Sequence, residues 1–333
     1  MAERYSVFTE RSTGVNPFYL PPPRFPTALG LLLALPRVVL VAALLPLLLL
    51  CDALSGALCS PFLYRWLCAP LARGVLFALG FGCGGLQART LRPGQDMVWR
   101  RVGGAPAAAA PAGTLLLVNA SSWLDSLVLL AALGAPLALP CAAGGGGLAA
   151  PGLWRALVRA FRRGPPPPCG GPPLPPAATL ALLRRWAGPL AVQPEGVPSN
   201  GRALLRPAMR LAAGLEGALA ALGARAPHVR VLAISYARAA GGGSDSPCFA
   251  GGVSPWRHAL ALLAQPSSTA TVLSLPAGED PLPADLPAGA PPGAWLAAAG
   301  GAMEAMLRAR ADPQLRLVGL GEEEHARFLE MAR

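Results

Sequence analysis

Between Thr27 and Cys51 the chain is almost continuous Leu, Val and Ala, broken only by Pro36, Arg37 and Pro46. A run of that length has two destinations, the hydrocarbon of a bilayer or the centre of a large core. Its fifteen Leu and Val residues sum to roughly −6 kcal/mol on an insertion scale, against about +3 for Arg37 near the middle, so insertion wins. A second apolar segment, Ala57 to Cys83, carries Pro61, Arg65, Pro70 and Arg73, which suits a re-entrant or interfacial piece better than a clean span. Together the two predict an N-terminal membrane hairpin over residues 27–83, preceded by a segment 1–26 and followed by a domain over 84–333. Mixed charges before the hairpin and Arg89, Arg92, Arg100 and Arg101 after it favour the cytoplasmic side for both flanks. The opening residues, with Gly14 and the Pro21 to Pro23 run, lack the basic n-region of a signal peptide.

Composition supports a membrane setting. The 333 residues are 53% hydrophobic, above an ordinary soluble domain. The net charge of +11 comes from arginine alone, because the chain contains no lysine. Such an excess suits anionic lipid or anionic substrates. Only 6% of residues are aromatic and no recognition motif is present, so nucleic acid is not an expected partner. The seven cysteines form no CxxC pair, and the three histidines have no zinc spacing to them, so no metal is expected and the thiols read as free, in a reducing compartment.

Beyond Gln87 the composition becomes that of a soluble domain interrupted by Ala, Gly and Pro stretches at 104–113, 142–151, 164–178, 239–252 and 277–293, which read as loops. Between them, short apolar runs predict strands at 115–118, 190–193, 229–236 and 269–275. Helical patterns fall at 126–133, 153–163, 178–187, 208–222, 255–264, 295–311 and 322–332. The order is that of an α/β domain. The 153–163 segment places Trp154, Leu157, Val158 and Phe161 opposite Arg155, Arg159, Arg162 and Arg163, which suits a helix in a lipid headgroup layer as well as a core-facing one with solvated arginines.

Two strand-end turns hold the polar chemistry. The first strand leads into Asn119-Ala120-Ser121-Ser122-Trp123-Leu124-Asp125, and the second into Pro194-Glu195-Gly196-Val197-Pro198-Ser199-Asn200-Gly201-Arg202. The carboxyl ends of strands are where α/β sheets place their sites. Each turn also has a structural explanation: Asn119, Ser121 and Ser122 can cap a helix starting near Leu124, Asp125 suits the positive end of its dipole, and Gly196 or Gly201 can take positive φ in a solvated turn. No GxSxG, GxxxxGK[ST] or HExxH motif is present, and His228, His258 and His325 have no catalytic spacing to either turn.

As a pair, the two turns resemble the signatures of the glycerolipid acyltransferase family, Asn-His-x-Ser-x-x-Asp and Phe-Pro-Glu-Gly-Thr-x-Ser. The opening Tyr5 to Glu10 and Thr13 to Phe18 is similar to the N-terminal box of the fungal lysophosphatidic acid oleoyltransferase branch. The Asn200-Gly201-Arg202 ending resembles both that branch and ancient ubiquitous protein 1. The resemblance implies a mixed sheet flanked by helices behind the hairpin. It also implies acyl transfer from acyl-CoA, a co-substrate rather than a bound cofactor, to lysophosphatidic acid or a similar lysophospholipid, at the endoplasmic reticulum membrane or lipid droplets and facing the cytosol. In the family a histidine takes the acceptor's proton and the aspartate orients it. Here the aspartate is Asp125, the histidine position is Ala120, and Asn119, Ser121 and Ser122 complete the motif. Ser121, Ser122 and nearby backbone N–H groups are the oxyanion-site candidates. The acceptor turn is Pro194, Glu195, Gly196 and Ser199, with Arg202 as replacement phosphate donor, because guanidinium binds phosphate in a bidentate fork. The arginine of the intervening block falls on Arg162 or Arg163. Loss of a positioned base costs on the order of 10² to 10⁴ in rate, so a lipid-binding or scaffolding relative without catalysis is the alternative.

Overall fold

The computed structural model describes residues 7–10, 16–19, 28–58, 60–82, 85–90, 114–138, 153–154, 157, 188–201, 203–207, 215, 219, 228–237, 247–248, 254–275, 280, 294–310, 316–321, 324–325, 327–328 and 330. Strand β2 (Leu115–Val118) lies inside a six-stranded sheet with β1 (Leu86–Thr90), β3 (Leu137–Ala138), β4 (Leu190–Val192), β6 (Val229–Ala237) and β7 (Thr269–Ser274), in the order β1-β7-β6-β2-β4-β3. Every pairing is parallel except β6 with β7, so the sheet is mixed. The unbroken apolar runs of β2 and β4 are buried along their whole length, as inner strands covered on both faces require. β5 (Ala203–Leu204) and β8 (Arg316–Leu317) pair as a separate parallel ribbon.

The helices are α1 (Ala28–Ala57), α2 (Pro61–Leu63), α3 (Ala69–Ala78), α4 (Asp125–Leu133), α5 (Pro255–Leu263) and α6 (Ala294–Arg310). α4 is apolar all round and nearly every residue in it is buried, the signature of a helix enclosed on all sides. The expected helices at 126–133, 255–264 and 295–311 are therefore present. At 322–332 the described residues Glu324, His325, Arg327, Phe328 and Glu330 are helical. Leu215 and Leu219 of the 208–222 segment are helical and buried, whereas the expected helix at 178–187 lies outside the described residues. In the 153–163 segment Leu153 and Leu157 are buried while Trp154 faces outward, so that apolar face is divided between core and surface.

α1 is the one described helix long and apolar enough to cross a membrane. It does not stand away from the body. Gly30, Ala34, Leu48, Asp52 and Ser55 are buried, positions that recur on one side of a 3.6-residue helix. Arg37, on the same side, donates to the carbonyls of Leu263, Gln265 and Pro266 at the carboxyl end of α5, where a cation also meets the helix dipole. Near its other end Asp52 Oδ2 accepts the Leu153 N–H at 2.7 Å. The opposite face, including Leu32, Leu35, Val39, Leu50 and Leu54, is exposed.

The second arm of the expected hairpin is a helix in three short pieces. Ser60 caps α2, a π turn at Tyr64–Cys68 follows, and α3 resumes at Ala69. Pro70 has no N–H to return to the preceding turn, and a widened turn just before it absorbs the missing bond. Tyr64, Cys68, Ala72, Val75, Leu76 and Leu79 then join the same apolar core as the sheet strands and α4, with Arg73 Nε donating to the Ala131 carbonyl at 2.8 Å. This arm thus shares one apolar core with the sheet strands and α4. Phe62, Trp66, Leu67 and Phe77 remain on its outer surface.

A second, smaller core joins the two ends of the chain. Phe8 packs edge-on and Phe18 tilted against Phe328, at centroid separations of 5.6 Å and 5.7 Å, together with Val197, Ala203, Leu205 and Val318. The N-terminal box is therefore laid against the Glu195 turn.

Candidate active site

At the carboxyl end of β2 the side chain of Asn119 continues the sheet pairing. Its Oδ1 accepts the Ile234 N–H at 2.6 Å and its Nδ2 donates to the Ile234 carbonyl at 3.2 Å, tying the turn to β6. The next three backbone N–H groups all point at carboxylates. Ala120 N donates to Glu195 Oε2 at 2.5 Å, and Ser121 N and Ser122 N donate to Asp125 Oδ2 at 2.7 and 2.9 Å. This arrangement pairs the buried N–H groups of the turn that precedes α4.

Asp125 is fully buried, at 0% exposure, and accepts three further hydrogen bonds. Gln193 Nε2 donates to Oδ2 at 3.0 Å, while Tyr236 Oη, at 2.7 Å, and Ser121 Oγ, at 3.3 Å, donate to Oδ1. Burial pushes its pKa up to about 6, although the N–H and O–H donors hold it lower than burial alone would. The Tyr236 phenol is pushed well above its ordinary value, first by burial and then by the neighbouring Asp125 charge. Gln193 and Tyr236 are the two residues of this cluster that are only partly buried.

Glu195 is turned inward, at 3% exposure, and its second oxygen accepts the Leu205 N–H at 2.8 Å. Burial raises its pKa to about 8 against the pull of these two N–H donors, and the nearby Asp125 charge raises it further. In this arrangement Glu195 ties the two strand-end turns together, with the Ser199 N–H donating to the Ala120 carbonyl at 2.9 Å as a second tie. The turn itself needs glycine: Gly196 and Gly201 have φ of +74° and +72°, and a Cβ on Gly201 would collide with Cys248 Sγ. Asn200 carries the N-terminal box, its Nδ2 donating to the carbonyls of Asn16 and Tyr19 at 2.8 and 3.0 Å. Pro194 and Ser199 are buried beneath this layer. Arg202, Arg162 and Arg163 lie outside the described residues.

The structure thus brings Asn119, Ala120, Ser121, Ser122, Asp125 and Glu195 together. It also gives several of them occupations that the motif alone does not reveal. The N–H groups expected to form an oxyanion site with Ser121 and Ser122 are engaged with carboxylates, and Ser122 Oγ donates to the Pro247 carbonyl at 2.6 Å. Ala120, 2% exposed, brings no base. Sequence reading missed Gln193 and Tyr236 as site members. The available signal was positional, since Tyr236 closes a strand that ends beside β2 and Gln193 directly precedes the Glu195 turn. The histidines are placed elsewhere: His258 Nδ1 accepts the Trp123 indole N–H at 3.2 Å, His325 packs at a tilt against Phe18, and the His228 carbonyl accepts the Leu115 N–H. Among the described residues no three His, Cys, Asp or Glu side chains gather closely enough to hold a metal. No family model, curated protein or solved structure matches this chain.

Proposed function

We propose that this protein is a membrane-bound acyltransferase that moves an acyl chain from acyl-CoA to the free hydroxyl of lysophosphatidic acid or a similar lysophospholipid. The observation that carries the reading is Asp125, a buried carboxylate with five hydrogen bonds at the carboxyl end of β2, tied through Ala120 to the Glu195 turn. That convergence of the two turns is what the resemblance to glycerolipid acyltransferases requires of them. Glu195 and Pro194 shape the acceptor turn, with Gly196 and Ser199, and Arg202 beside it is the guanidinium assigned to the acceptor's phosphate. The outer face of α1, together with Phe62, Trp66 and Phe77, rests in lipid, with α1 lying along the body because Arg37 and Asp52 hold it there. The setting we assign is the cytosolic face of the endoplasmic reticulum or a lipid droplet.

Membranes carrying the full chain, supplied with labelled acyl-CoA and a panel of lysophospholipids, test the reading. Transfer above background that is lost in Asp125→Ala supports it, and no transfer sinks it. One observation favours a second reading, a non-catalytic lipid-binding or scaffolding protein: Ala120 supplies no base and its neighbouring N–H groups are already engaged. Binding of lysophospholipid vesicles without turnover is the outcome that selects it.

A further inference from the structure

We infer that Tyr236 relays the acceptor's proton to Asp125, in place of the histidine whose position Ala120 occupies. The inference rests on the acyltransferase reading above and deepens it. Asp125 is fully buried, so a substrate hydroxyl cannot touch it directly. Of the groups that donate to it, those of Ser121 and Ser122 are buried with it, and Gln193 and Tyr236 are the two residues that are only partly buried. The Gln193 amide nitrogen donates to Asp125 and to the Asn119 carbonyl, and an amide N–H does not accept a proton at neutral pH. A phenol both accepts and donates. Tyr236 Oη lies 2.7 Å from Asp125 Oδ1, within the reach that proton transfer needs, and its ring packs edge-on against Phe81 with centroids 6.3 Å apart. Glu195 is buried as well, and the groups that reach its oxygens are the backbone N–H groups of Ala120 and Leu205, neither of which passes on a proton.

In the transfer step the acceptor hydroxyl oxygen bonds to the thioester carbonyl carbon, and its proton passes to the Tyr236 oxygen as the phenol proton moves to Asp125 Oδ1. The C–S bond then breaks, the proton returns along the same two groups, and it leaves on the CoA thiol. Tyrosine and aspartate end as they began. The ionisation states agree with the geometry: Asp125, raised to about 6, is a carboxylate at neutral pH yet more basic than an exposed one, while Tyr236 keeps its proton until it passes it on.

Full-length wild type, Tyr236→Phe, Ala120→His and the double variant, assayed in detergent micelles with acyl-CoA and lysophosphatidic acid, decide the matter. Tyr236→Phe should lower kcat by about 10²-fold or more with KM little changed. On the Ala120→His background the same substitution should cost much less, because the imidazole takes the proton directly and uses Asp125 to orient it. Should the Phe variant fail to fold, a single-turnover proton inventory on wild type substitutes, with a bowed dependence expected for two protons in flight and a linear one overturning the relay. An active wild type whose kcat survives Tyr236→Phe overturns the relay and leaves the acyltransferase reading standing. An inactive wild type rescued by Ala120→His does the same. If neither protein transfers acyl groups, both readings fall.

Discussion

Replacing Glu195 by alanine tests whether this residue ties two turns together or faces a substrate. Its two oxygens accept the Ala120 and Leu205 N–H groups at 2.5 and 2.8 Å in a site from which water is excluded. Alanine leaves both donors buried without acceptors, at about 1 to 3 kcal/mol each, or roughly 2 to 6 in total. Some of that is returned, because burial holds the carboxyl at a pKa of about 8 and removing it relieves that cost. A loss of about 1 to 4 kcal/mol is therefore expected, a sizeable share of a typical stability of about 5 to 15. Glu195→Gln keeps one carbonyl acceptor and should lose about half as much. Denaturant unfolding of the purified chain in detergent, followed by tryptophan fluorescence, reads the difference. A Glu195→Ala protein within about 0.5 kcal/mol of wild type, with only the acceptor KM raised, would refute the tie and return Glu195 to the substrate surface.

The same carboxyls predict the direction of the pH dependence. Glu195 near 8 and Asp125 near 6 lie above their ordinary values of 4.5 and 3.8, so the folded state keeps protons that the unfolded chain has released. Stability should be greatest at the acid end of that range and fall as pH rises from about 4 to 8, and Glu195→Gln should flatten its upper part in a melting-temperature series. Arg37→Leu makes α1 more apolar but removes the donors to the Leu263, Gln265 and Pro266 carbonyls. Membrane association should persist while the 264–268 segment becomes sensitive to limited proteolysis; an unchanged cleavage pattern contradicts that docking. Changing Leu32, Leu35, Val39 and Leu50 together to Asn alters side chains that are exposed in the structure, so the fold should survive. At about 1.5 to 3 kcal/mol for each buried apolar side chain, the loss from lipid should move the protein out of the floating fraction of a vesicle gradient, and retention there counts against α1 as the lipid face.

Much of the framework is legible in the sequence. Leu115 to Val118, Leu190 to Val192 and the Val229 strand are apolar runs bounded by breakers, and they form inner strands within a residue or so of where the pattern puts them. α1 follows from composition alone. β1 and β3 are hardly legible: Leu86-Gln87-Ala88-Arg89-Thr90 alternates apolar and polar over four residues only and with weak β-formers, and Leu137-Ala138 is too short for any period, so both owe their pairing to neighbours. The second apolar arm was half legible. Its hydrophobicity is plain in the sequence, but which of its residues face the core is settled by packing: Tyr64, Cys68, Ala72 and Val75 are buried, whereas Phe62, Trp66, Leu67 and Phe77 are exposed.

The site divides along the same line. Local sequence sets what lies within a few residues, such as the Ser121 and Ser122 N–H bonds to Asp125 at the start of a helix, because those distances are fixed by chain geometry. Strand order sets the rest. Tyr236 reaches Asp125 across 111 residues, and Glu195 reaches Ala120 across 75. These meetings exist because β6 and β4 flank β2 and run parallel to it, so three strands deliver their carboxyl ends to one place. No periodicity encodes which strands become neighbours; the burial of shared apolar faces does. An apolar helix, an α/β order and a polar turn from Asn119 to Asp125 are written in the residues themselves, whereas the contact of Tyr236 with Asp125 exists only because parallel pairing sets β6 beside β2.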